Sequence, residues 1–223
     1  MIQSDKSDSY MDIKKTANLL LNFAIKRLAE IFGIIIVTVG SLLLIALITY
    51  SPEDPNFIFP DNTDIKNLLG FQGSFISDLF FQSVGLISYL ISFTFILTGI
   101  NIFRLKDFFL FIENVFFTTI YCVFGTFFFS YFYTDAFTLY INGNGGFVGN
   151  YFNQTFLNSL VQIHETASFY ILIFLTFCLF LISTNFNLIK FYNSILKIYS
   201  FFFKKEEKNY TDKSEVISEY IPQ

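Results

Sequence analysis

Residues 31–50 read IFGIIIVTVGSLLLIALITY, twenty positions without a charged side chain. About 20 apolar residues in a helix cross the ~30 Å hydrocarbon core of a bilayer. A helix on a soluble protein keeps a polar stripe toward water, and this run is apolar all round. Three similar runs follow it. Residues 79–103 read LFFQSVGLISYLISFTFILTGINIF. Residues 108–132 carry one acid, Glu113, near their start, and residues 167–186 begin just after Glu165. A chain of 223 residues with mean hydropathy +0.55 cannot bury four such helices in a core of its own. The expected fold class is an all-α membrane protein, a four-transmembrane-helix bundle with short interfacial helices.

The basic residues orient that bundle. Lys6, Lys14, Lys15, Lys26 and Arg27 precede the first run, and Arg104 and Lys106 separate the second from the third. Lys190, Lys197, Lys204, Lys205, Lys208 and Lys213 follow the fourth. Thirteen of the fourteen Lys and Arg residues thus fall on one side of alternating crossings, and Lys66 alone falls on the other. Cytoplasmic loops hold the excess of Lys and Arg, so both termini are expected inside and segments 51–78 and 133–166 outside. The net charge of −4 does not bear on this, because acids contribute little to topology. The first run is of full spanning length and lacks a small-x-small cleavage site, so it reads as an anchor and not as a signal peptide.

Three segments are expected: a cytoplasmic N-terminal segment 1–30, a membrane domain 31–186, and a cytoplasmic interfacial helix with the start of a linker over 187–223. Residues 1–12 are polar and expected to be disordered. Ile13, Ala17, Leu20, Leu21, Ala24 and Leu28 form a helical stripe, either a helix on the inner leaflet or an extension of the first span. Phe191, Ile195, Ile198, Tyr199 and Phe202 repeat at helical spacing in a stretch too short and too basic to cross, which predicts an interfacial helix. From Lys204 the chain is charged and without a core, like a linker.

In the first outer loop Pro52 and Pro55 stop the helix, and Asp61 and Asn62 after Pro60 favour a turn. Gly70 and Gly73 are expected to prevent an early helix, with Ser77 or Asp78 capping the second span. Glu53, Asp54, Asp61, Asp64 and Asp78 read as a solvated face, since their spacing fits no calcium loop. In the second outer loop, Gly143, Gly145, Gly146 and Gly149 mark a tight turn or a close backbone approach. Phe152, Phe156, Leu157, Leu160 and Ile163 then predict a short interfacial or re-entrant helix. Gly33, Val37, Gly40 and Ser41 on one face of the first span suit close helix packing.

No catalytic set, cofactor site or metal site is expected. Glu113 sits where it can snorkel or pair with Arg104 or Lys106. The single His, His164, and Glu165 read as a headgroup-level flank of the fourth span. Cys122 and Cys178 lie inside apolar runs and read as packing residues, not as a disulfide. The 34 Phe, the absence of Trp and the frequent Ile and Asn read as codon bias of an AT-rich bacterial genome.

The run Tyr50-Ser51-Pro52-Glu53-Asp54-Pro55-Asn56-Phe57 leaves the first span, and Asn67, Gly70, Gly73 and Asp78 follow at fixed spacing. Gly85 and Tyr89 come next within the second span. Gly145, Gly146 and Gly149 form a GGxxG in the second outer loop. Across residues 27–185 the chain thereby resembles the N-terminal four-helix membrane domain of the FtsK/SpoIIIE DNA translocases. It departs from them at Phe57, where the family usually has Trp, and at residues 160–164, LVQIH, where another glycine pair is common. The resemblance implies a non-catalytic membrane anchor and assembly platform in the bacterial inner membrane, at the division septum. It implies a homo-oligomer, with division proteins and a translocase motor as partners. The sequence holds no GK dipeptide, so neither ATP hydrolysis nor direct nucleic-acid binding is expected of it. The alternative is an unrelated small polytopic protein such as a transporter subunit. That class is expected to show inverted repeats, broken spans or several midplane charges, and the sequence displays none.

Overall fold

The computed structural model describes residues 2–55, 64–134 and 142–203. The turn expected at Asp61 and Asn62, the Phe57 position and the linker from Lys204 lie outside the described residues. The order is α1 (Ile2–Ile48), α2 (Gly70–Val84), a 3-10 turn (Gly85–Ile87), α3 (Ser88–Leu105), α4 (Phe109–Phe132), α5 (Gly146–Asn153), α6 (Phe156–Ile163), α7 (Glu165–Ser183) and α8 (Leu188–Phe203). Four helical stretches are long and apolar enough to cross a membrane: Lys15–Ile48, Gly70–Leu105, Phe109–Phe132 and Glu165–Ser183. The fold is all-helical with four candidate spans. Residues 1–186 form one unit, and residues 187–223, which include α8, form a second.

α1 is a single helix of 47 residues. Neither a disordered residue 1–12 segment nor a separate inner-leaflet helix precedes the first span. No Gly or Pro occurs before Gly33, so nothing in residues 2–32 interrupts the hydrogen-bond ladder.

The second span also differs from expectation. Its helix begins at Gly70, not near residue 79, so Ser77 and Asp78 lie inside α2 and cap nothing. Ser77 instead turns its hydroxyl back to the carbonyls of Gly73 (2.8 Å) and Ser74 (3.0 Å). The span then breaks at Gly85, whose φ of 59° only glycine adopts cheaply. Beyond the break, α3 is 18 residues long, about 27 Å of helix, enough by itself for a hydrocarbon core.

α1 packs chiefly along α3, and α4 along α7. In the first seam the backbones touch. A Cβ on Gly33 would lie 2.8 Å from the Gly99 carbonyl oxygen, one on Gly99 2.6 Å from that of Gly33, and one on Gly40 2.9 Å from the Ile96 nitrogen. Ser41, next to Gly40, is half-buried. In the second seam aromatic rings fill the space. Phe169 meets Phe128 and Phe132 at centroid distances of 5.3 and 5.1 Å, and Phe180 meets Tyr121 at 5.9 Å. Leu43, Leu47, Phe81, Ile87, Ile91 and Tyr121 join α1 to α4 in one buried cluster.

Several hydroxyls within the spans are satisfied locally, as an apolar medium favours. Thr38, Thr118 and Thr126 donate to the carbonyls of Ile34, Asn114 and Cys122 one turn back. Between helices, the Thr94 and Tyr121 hydroxyls share a buried bond of 2.9 Å.

Candidate functional site

Two polar knots gather at the end of the bundle where α1 stops. The first starts with Pro52, which ends α1 and forces a turn closed by the Asp54 N–H on the Ser51 carbonyl at 3.2 Å. That turn drives the Asp54 side chain inward, where it is 2% exposed. Its Oδ1 accepts the Lys66 N–H and its Oδ2 the Asn67 N–H, both at 2.9 Å. Asn67 donates from Nδ2 to the Ala46 carbonyl at 2.9 Å, one of the last carbonyls of α1, and accepts the Leu69 N–H at 3.0 Å. Helix ends leave such carbonyls without a partner inside the helix. One carboxylate and one amide thus sew the returning chain onto the tip of the first span.

The remaining motif residues close this knot. The Gly70 N–H donates to the Asn67 carbonyl at 2.9 Å and starts α2. Gly73 sits directly on the Asn67 amide oxygen, so any Cβ there would collide with it. The Pro55 carbonyl accepts the Ser74 hydroxyl at 2.9 Å. Asp78, buried on α2, accepts the Tyr50 hydroxyl at 3.2 Å and the Gln82 amide at 3.4 Å. The expectation of a solvated acidic face therefore fails for Asp54 and Asp78. Both are buried acceptors, because a carboxylate leaves water only where donors replace its hydration. Glu53 does remain exposed and pairs with Lys66. The Lys66 ammonium holds the Glu53 carboxyl below its usual range, and Glu53 raises Lys66 in return.

The second knot fills the break in the second span. The Asn144 carbonyl accepts the Leu86 N–H at 2.9 Å, and a Cβ on Gly85 would overlap that carbonyl. Gly146, at φ 65°, lies against the Gly85 nitrogen and the Ser83 carbonyl. Gly145 and Gly149 press on the Thr126 carbonyl and Ser130 of α4. Asparagines complete the set. Asn142 donates to the Gln82 carbonyl (3.2 Å), Asn150 to the Asn142 carbonyl (2.8 Å), and Asn144 to the Tyr133 carbonyl. The expected interfacial segment is two helices here, α5 and α6, with Thr155 capping α6 through the Leu157 N–H at 3.4 Å. α2 carries both knots, joined through Gln82.

At the opposite end, Glu30 binds Arg27 at 2.6 Å and Lys106 at 2.7 Å. Lys106 thus pairs with Glu30 and not with Glu113, which is exposed on α4 and makes no ion pair among the described residues. Close by, Asn114 donates to Thr98 (2.8 Å), Asn185 to Asn114 (2.9 Å), and Asn101 to the Thr184 carbonyl (2.8 Å). These bonds tie the end of α7 to α3 and α4. His164 is exposed between α6 and α7, and Cys122 and Cys178 are free thiols. Among the described residues no His, Cys, Asp and Glu side chains gather to hold a metal ion.

Gln82, Asn101, Asn114, Asn142, Asn144, Asn150 and Asn185 were not singled out by the sequence. The available signal was asparagine itself, which is scattered through loops and span ends where its amide can serve free carbonyls.

Asp54 and Asp78 accept hydrogen bonds from fixed donors and hold the chain together at this end of the bundle. Residues 25–196 match the family described as the 4TM region of DNA translocase FtsK/SpoIIIE. A DNA translocase FtsK of Rhizobium meliloti (strain 1021) is 29% identical over 85 residues, covering 38% of this chain and 10% of the relative. A DNA translocase FtsK of Caulobacter vibrioides is 36% identical over 73 residues, covering 33% of this chain and 9% of the relative. The matched stretches thus span about a tenth of the length of these curated relatives. No solved structure matches the chain. With most of its length matched, the chain belongs to the multi-pass membrane family formed by the 4TM region of the FtsK/SpoIIIE DNA translocases.

Proposed function

We propose that this chain is the membrane anchor and assembly platform of an FtsK-like DNA translocase, acting in cell division and chromosome segregation at the septum. The observation that carries this reading is the family match over residues 25–196. The geometry supports a passive role. Buried polar groups at both ends are committed to holding helices and loops together, so the bundle resembles a rigid fitting more than a conduit. The charge asymmetry supports termini inside and both knots outside, in the inner membrane. A homo-oligomer, bound division proteins and a motor segment belong to the same proposal.

One observation bears on the transporter alternative, which calls for a broken span. The second span is broken, at Gly85–Ile87. Transporters use such breaks to line a substrate cavity. Here the Asn144 carbonyl and Gly146 pack against Gly85, and the crevice beside Ile87 is lined by apolar side chains and Thr176.

A fluorescent fusion of the full chain in dividing cells tests the proposal. Accumulation at midcell, lost in the Asp54→Ala variant at equal membrane abundance, supports it. Uniform membrane fluorescence through division rejects it.

A further inference from the structure

We propose that α8 lies on the bilayer surface and binds anionic lipid headgroups. The proposal rests on reading α7 as a span, and not on the septal role. α7 ends at Ser183 and α8 starts at Leu188. The few residues between them reach about 15 Å even when fully extended, so α8 begins at the surface where α7 emerges.

α8 has two faces. Ile189, Tyr192, Leu196 and Tyr199 recur at helical spacing and are exposed, with Ile195 beside them. Lys197 lies roughly 140–160° around the helix from Tyr192, Ile195 and Tyr199, with Asn193 and Ser200 on its flank. In sequence, Lys190 and Lys204 stand seven residues to either side of Lys197. At 16 residues the helix is about 24 Å long, with a lysine in its midst, so it does not cross the bilayer. Lying flat, it sinks its aliphatic side chains into the acyl boundary and holds its tyrosines at headgroup depth. Lysines flanking the apolar face then meet lipid phosphates, and each basic residue near an anionic surface strengthens binding roughly fivefold. A nucleic acid would engage the lysines but leave the apolar face in water. A protein partner would cover the apolar face without any requirement for anionic lipid.

The sequence contains no Trp, so Tyr192→Trp and Asn193→Trp each create a single fluorescent reporter. The full chain is placed in nanodiscs of phosphatidylcholine, with or without phosphatidylglycerol, that carry a headgroup-level nitroxide quencher. With phosphatidylglycerol, the indole at 192 should be quenched roughly twofold more than the indole at 193, as a surface-lying amphipathic helix requires. That difference should shrink in phosphatidylcholine alone, and also when Lys190→Gln and Lys197→Gln are combined. An indole at 192 as water-accessible as the one at 193 overturns the surface location. Quenching at 192 that ignores both phosphatidylglycerol and the lysines overturns headgroup recognition. Neither result alters midcell accumulation, so a failure here is separable from a failure of the anchor reading.

Discussion

The α1–α3 seam and the α4–α7 seam hold their helices together by opposite means. In the first, Gly33 and Gly99 bring backbones into contact, and the seam is pinned at both ends. Tyr89 of α3 donates to the Leu47 carbonyl at 3.2 Å at one end, and Glu30 holds Lys106 at the other. In the second, Phe128, Phe132, Phe169, Tyr121 and Phe180 keep the backbones apart. Lipid is as apolar as a Phe ring, so burial from water drives neither seam, and packing and hydrogen bonds decide both. The first seam is therefore intolerant of added atoms. The second has apolar crevices and tolerates change. One crevice of about 250 Å³ lies among Ile87, Gly125, Phe128 and Phe180.

The largest effect should come from enlarging the tight seam. Gly99→Leu, or Gly33→Leu, drives a side chain into facing backbone and should cost about 3 kcal/mol or more, read as loss of the folded bundle in mixed-micelle denaturation. Next is the first knot, at the tip of α1. Asp54→Ala strips two backbone N–H groups of their acceptor and should cost about 2–3 kcal/mol by the same measurement. The ring seam should respond less. Phe128→Ala opens space that lipid chains can enter, so about 1–2 kcal/mol is expected, below the usual cost in a water-soluble core. Gly125→Ala sharpens the contrast, because its new Cβ would meet the flexible end of Ile87 instead of backbone. It should cost under about 1 kcal/mol, and a penalty equal to that of Gly99→Ala would erase the distinction between seams. Smallest is Glu30→Gln, which removes the pairs with Arg27 and Lys106 at the basic end and should change stability least of all, and less still in high salt.

The sequence made the spans legible because a bilayer imposes one stringent demand, about twenty apolar residues in a row. It also pointed to Asp54, Asn67, Gly73 and Asp78 through family resemblance. It did not disclose what they do. Burial of Asp54 depends on two N–H groups twelve and thirteen residues further along the chain, and no local pattern encodes that meeting. The break at Gly85 was hidden for a similar reason. A glycine in an apolar run reads as a packing residue until a second loop is seen resting on it. The extent of α1 was misjudged because polar composition suggested disorder, whereas the absence of Gly and Pro permitted a continuous helix.

The central claim is that the charge pattern places the two knots on one side of the membrane and the Glu30–Lys106 end on the other. Single cysteines test it directly. Cys122→Ala and Cys178→Ala together remove the native thiols, and neither Glu53→Cys nor Asp107→Cys removes a basic residue. A membrane-impermeant maleimide should label position 53 in intact spheroplasts and position 107 only after lysis. Labelling of position 107 in intact spheroplasts, with position 53 protected, would contradict the account.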